Sequence, residues 1–276
     1  MASSTTSVVV SSAKTPLWLW PNILSLDAPV IASIWQNLFA HDVSIKLSLA
    51  SRFVLPLSVW LIYLADRLFD TAPGRKPKLT ARHAFSSSYR VFCQALAASA
   101  ALLSAISVPF LPATIFGNGC AILTIVIAYL LIVHSMGGRL RHWLPKEAAV
   151  GLIFAIGSVL APATCSANPR RLVFPALLFG ILCWTNSAAI EIWEGGRADS
   201  VSRFFVHHIR LLALAVCTVC LLCGLWLPSE HSWDALQIAA LGYTAIDFLR
   251  PDLSPDLLRV AIDIPLLSPL LLLGLK

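Results

Sequence analysis

Apolar runs long enough to cross a bilayer recur along this chain, and they point to a bundle of membrane helices. From Thr114 to His134 there is no Asp, Glu, Lys or Arg, and about 20 such residues span the hydrocarbon as a helix. The period-2 alternation of a membrane barrel is absent. Hydrophobic residues make up 58% of the 276 positions and charged residues 12%, half the charged share of an ordinary soluble domain. The expected fold is all-α, a polytopic bundle of about nine transmembrane helices. These run over Ala28–Phe39, Ser44–Asp70, Tyr89–Val108, Thr114–His134, Pro145–Leu160, Leu172–Glu194, Phe204–Trp226, Trp233–Leu249 and Leu257–Leu273. Residues 1–16, rich in Ser, Thr and Val, read as a disordered tail, and 17–276 as one membrane domain. No signal peptide is recognised in the tail, whose single lysine comes late.

The formal charge of +6 forms no stripe or arm, so no nucleic-acid partner is expected. Arg75, Lys76, Lys78, Arg82, Arg139, Arg141, Lys146, Arg197, Arg203 and Arg250 fall in alternate inter-helix loops. Lys46, Arg52, Arg170, Arg171 and Lys276 fall mainly on the other side. The positive-inside rule then puts the N-terminus and the richer loops in the cytoplasm, in a multi-pass protein of a bacterial inner or plasma membrane. The seven cysteines lie mostly within apolar runs and read as small buried hydrophobes.

Within WLIYLADRLFD, Trp60 to Asp70, the apolar run meets Asp66, Arg67 and Asp70. Asp66 and Asp70 are one helical turn apart on one face. Charges at such a depth are costly enough to make a site the default reading. A second cluster, Asn186, Glu191 and Glu194, ends the sixth run at the same membrane face. Arg67, Arg139, Arg141 and Lys146 would rim the space between them. Such parts suit a diphosphate held through Mg2+, which takes one or two carboxylates plus substrate phosphates. Asp263, alone in VAIDIPLL, is expected to pair with Arg259, one turn earlier.

LADRLFD resembles the second half of the first aspartate motif, N-D-x-x-D-x-x-x-D, of the UbiA superfamily of intramembrane prenyltransferases. Asp66 and Asp70 match its last two aspartates and Arg67 the arginine between them, while Ile62 and Tyr63 stand at its Asn and first Asp. The second aspartate motif is represented by Asn186, Glu191 and Glu194, with altered spacing. The resemblance implies transfer of a prenyl group from a prenyl diphosphate to a lipophilic or aromatic acceptor. In that scheme Asp66, Asp70, Glu191 and Glu194 are the catalytic, Mg2+-binding set. Arg67, Arg139, Arg141 and Lys146 bind diphosphate, and Tyr63 and Asn186 line the acceptor or prenyl pocket. Two alternatives stay open: an intramembrane terpene cyclase, and a non-catalytic relative that binds a lipid or quinone in the bilayer. Oligomeric state is not legible.

Overall fold

The computed structural model describes residues 16–72, 80–135, 146–195, 198–226 and 231–273, with the backbone alone over 129–135. Every regular element among them is helical. In chain order these are α1 (Trp20–Ile23), α2 (Asp27–Asp42), α3 (Leu49–Asp70), α4 (Ala81–Ser88), α5 (Arg90–Ser107), α6 (Ala113–Ser135) and α7 (Lys146–Cys165). Then follow α8 (Val173–Trp193), α9 (Ser200–His207), α10 (Ile209–Trp226), α11 (His231–Leu249), α12 (Pro255–Asp263) and α13 (Pro269–Leu273). The tail up to residue 15 and Arg75, Lys76, Lys78, Arg139, Arg141 and Arg197 lie outside the described residues.

Among the described residues, α3, α5, α7, α8 with the turn before it, and α10 are long and apolar enough to cross a membrane. The bent pair formed by residues 17–23 and 27–42 makes a sixth if it counts as one span. The chain is therefore a multi-pass membrane protein. Several expected runs are subdivided. The first is preceded by α1 at a 78° bend, and the second starts at Leu49 rather than Ser44. The third and seventh are preceded by α4 and α9, which break at Tyr89 and His208. The ninth is split by a 3-10 turn, Ile264–Leu267, containing Pro265; proline lacks the N–H needed to continue an α-helix.

α2, α7, α8, α10 and α11 enclose the main core. Trp35 and Phe39 of α2 are fully buried against Phe179 of α8, with the Trp35 and Phe179 rings stacked at 4.1 Å. Trp35 Nε1 donates to the Leu266 carbonyl at 2.8 Å, so the turn that breaks the last run is tied to the core. Outward faces carry Leu102, Ile125, Leu214 and Leu221, all more than half exposed, as suits contact with lipid.

Side chains close the starts of α3, α9 and α12. Ser48 caps α3 through Ser51 N–H, and Asp199 caps α9 by accepting from Val201 N–H and Ser202 N–H. Partial burial works to raise the Asp199 carboxyl, but hydrogen bonds from the Ser202 side chain and these two N–H groups outweigh it and hold it below its ordinary value. Asp42, at the end of α2, accepts from His231 N–H at 3.0 Å and Ser232 N–H at 2.9 Å, so it caps α11 across the bundle. Asp42→Ala removes the acceptor for both donors and is expected to cost about 1–2 kcal/mol, read as a lowered thermal unfolding midpoint in detergent; an unchanged midpoint would show that the cap contributes nothing.

Candidate functional site

One carboxylate of each acidic cluster lies beside α4. Consecutive residues of that helix reach both: His83 Nε2 lies 3.8 Å from Asp70 Oδ2 on α3, and Arg82 Nη2 lies 3.7 Å from Glu194 Oε2 at the end of α8. His83 is buried, and its Nδ1 is 2.5 Å from the Thr80 hydroxyl. Thr80 to Ser88 folds as a turn and helix because Pro73, Gly74 and Pro77 are already behind it. The Ala81–Ser88 helix packs against both α1 and α3.

Arg259 pairs with Glu194 rather than with Asp263. The expectation of a local Arg259–Asp263 pair is corrected on this point. Asp263 instead accepts from Asn186 Nδ2 at 2.9 Å, and the same amide group donates to the Ile262 carbonyl at 3.0 Å. Asp263 ends α12, where the chain turns into 3-10 geometry. That break lets its carboxylate turn to α8 while Arg259, one turn back, meets Glu194 near the helix end.

Tyr63 projects from α3 into the same interior. It packs beside Ala28, Ala32 and Val59, and Asp27, Asp263, Cys183 and Asp66 lie within electrostatic reach of its hydroxyl. Residues from α2, α3, α8 and α12 thus surround it. Asn186, the other expected pocket residue, is bonded to Asp263, which also acts electrostatically on Tyr63. Ile62, one position back, is 38% exposed and faces outward.

Arg67 is committed elsewhere. It is buried, and its guanidinium donates to the Asn22 carbonyl at 2.8 Å and to the Ile23 carbonyl. Those carbonyls end α1; the Asn22 carbonyl also accepts from Ser25 N–H at 3.1 Å. Trp60 Nε1 donates to the Leu24 carbonyl at 2.9 Å, and Asn22 Nδ2 donates to Asp27 Oδ2 at 2.6 Å. The bend between α1 and α2 is therefore held by α3 and by its own Asn22–Asp27 bridge.

Asp66 is exposed, Asp70 half-buried, and Glu191 of intermediate exposure. Lys146 is exposed at the first residue of α7, whereas its neighbour Glu147 is buried. The sequence reading missed Asp27, His83 and the Arg259–Glu194 pair. Asp27 carried one usable signal, a lone carboxylate directly before an apolar run, which is a helix-start pattern.

Among the described residues, no three His, Cys, Asp or Glu side chains are grouped so as to hold a metal ion. A metal here would depend on Asp66 and Asp70 with oxygens from a substrate, which is a binding mode Mg2+ accepts. Arg82 Nε and Arg259 Nε are buried with no hydrogen-bond acceptor. Both Glu194 carboxylate oxygens, which these two arginines approach, likewise lack a hydrogen bond among the described residues, so the cluster holds open donors and acceptors side by side. What the folded chain defines is an all-helical, multi-pass membrane protein with a polar interior at one end of its bundle. Comparison with models of known protein families, with curated proteins and with solved structures finds no match to this chain.

Proposed function

We propose that this protein is a UbiA-like integral membrane prenyltransferase, moving a prenyl group from a prenyl diphosphate to a lipophilic or aromatic acceptor. The observation that carries this reading is the convergence of the α3 and α8 carboxylate ends on Arg82 and His83 of one short helix. Arg82 and Arg259 supply guanidinium donors for the diphosphate, and planar forks of this kind recognise phosphate oxygens well. Asp66 and Asp70 would hold Mg2+, which as a Lewis acid would ease departure of the diphosphate. Glu194 keeps the two guanidiniums in place and offsets their charge until an anion arrives. Tyr63, Asn186 and Asp263 form the polar lining where the acceptor is oriented, and the apolar helices around them take the prenyl tail. Arg67 supports the site by fixing α1 and α2 rather than by touching diphosphate. The loop charges put this end of the bundle in the cytoplasm.

A second reading is a non-catalytic lipid- or quinone-binding relative. It is favoured by the absence of a three-ligand metal group among the described residues and by the engagement of Arg67 with main-chain carbonyls.

Purified protein titrated with C10 to C40 prenyl diphosphates is expected to bind at least one of them in a Mg2+-dependent manner. Asp66→Ala with Asp70→Ala should weaken that binding by at least roughly 10–100-fold, the scale on which losing a metal's support is felt. Absence of Mg2+-dependent binding across the whole series would discard the enzyme and leave the second reading.

A further inference from the structure

The opposite end of α3 borders a separate cavity. Arg52 is 18 positions before Asp70 in the sequence, which along a helix is about 27 Å, close to the thickness of a hydrocarbon layer. There a cavity of about 470 Å³ is lined by Asn37 and His41 of α2, by Ser44 to Leu47 of the following loop, and by Arg52 and Leu273. Lys46, Arg52 and the His41 imidazole line it, and no carboxylate is among its described lining residues. The nearest acid in sequence, Asp42, lies 3.7 Å from His41 Nδ1, has a side chain 1% exposed and caps α11.

The loop is built to hold that shape. α2 ends with Ser44 N–H donating to the His41 carbonyl at 2.9 Å and Ile45 N–H to the Ala40 carbonyl at 2.8 Å, the crossed pair of a Schellman closure. Its left-handed position, at φ 55°, is filled by Ser44, where glycine would be free of strain. The chain thereby keeps a hydroxyl at the cavity wall. Beside the cations stand Ile45, Leu47 and Leu273, and Leu49 and Phe53 next in sequence are 72% and 58% exposed. The surroundings are thus cationic at the wall and apolar toward the bilayer.

We propose that this cavity binds the phosphate of an anionic phospholipid headgroup, with Lys46 and Arg52 as the charge partners and Asn37 and Ser44 as neutral hydrogen-bonding groups. Basic pockets between membrane helices take such headgroups at the cytoplasmic face; Lys46 and Arg52 offer the same charge pairing at the opposite face, with two parallel N–H donors from Arg52 to phosphate oxygens. The acyl chains would then lie over Leu49 and Phe53.

The test uses the full chain purified in detergent and stripped of lipid, with native mass spectrometry following retention of added dioctanoyl phosphatidylglycerol, dioctanoyl phosphatidylcholine or inorganic phosphate. Phosphatidylglycerol should be retained in preference to phosphatidylcholine, and Lys46→Gln with Arg52→Gln should weaken its retention about thirtyfold. Both residues are exposed, so the lipid-free unfolding midpoint should stay unchanged, and Lys46→Arg alone should retain the lipid. Equal retention of the two lipids, or indifference to the double substitution, would overturn the proposal. Retention of inorganic phosphate with the same sensitivity to substitution, without selective lipid retention, would overturn the lipid assignment in favour of a soluble phosphate.

Discussion

Gly151→Ala is expected to destabilise the protein by about 3 kcal/mol, the upper end of what overpacking costs. A Cβ at this position of α7 would stand 2.6 Å from Trp184 N, 2.7 Å from the Gly180 carbonyl oxygen and 2.8 Å from Trp184 Cα. All three are backbone atoms of α8, so no rotamer change relieves the contact and the two helices must separate. That separation would propagate, because α7 and α8 form the most extensive helix pair in the fold and α8 carries Asn186, Glu191 and Glu194. Small residues allow this close approach, and in a bilayer close packing is a main source of helix association. Gly180→Ala supplies the contrast: its Cβ would meet the Ala155 methyl at 3.3 Å and nothing closer, so its cost should stay at about 1 kcal/mol or less. Thermal unfolding of both variants in one detergent separates them, and equal midpoints would show that α8 yields more readily than its contacts imply.

Arg67→Met is expected to cost about 3 kcal/mol, since it removes charged donors from two carbonyls and leaves the Asn22 carbonyl with only Ser25 N–H. Methionine approximates the aliphatic stem while deleting the fork, so the loss reports on hydrogen bonding rather than on packing alone. Arg67→Lys should recover less than half of it, because one ammonium point cannot reproduce a planar fork aimed at the Asn22 and Ile23 carbonyls. Unfolding midpoints again provide the measurement. A midpoint for Arg67→Met equal to that of the parent protein would mean that α1 is held by other contacts, and Trp60 with Leu24 would be the first to examine.

Arg67 also marks the boundary of what the sequence could say. The apolar runs were legible because a bilayer imposes a length and a composition on whatever crosses it. Asp66 and Asp70 were legible as neighbours because helical spacing is a local property. The destination of Arg67 was not legible: its acceptors are main-chain carbonyls 44 and 45 positions earlier, and a carbonyl has no sequence signature. Arg259 and Asp263 show the same limit in another form. Their spacing of four suits a local pair, yet the break after Asp263 and the presence of Glu194 across the interface redirect both. The helix Ala81–Ser88 was hidden because its composition resembles the loop before it, and its two side chains that join the acidic clusters became apparent only once α3 and α8 were placed.

The bend between α1 and α2 has a consequence for biosynthesis. The chain is made from its N-terminus at about 5–20 residues per second, so Arg67 emerges roughly 2–9 seconds after Asn22 and Ile23 at that rate. During that interval the carbonyls at the end of α1 have no guanidinium to receive, and the indole of Trp60 is also still to come. The clasp of Arg67 and Trp60 on the N-terminal segment can close only once α3 has been delivered.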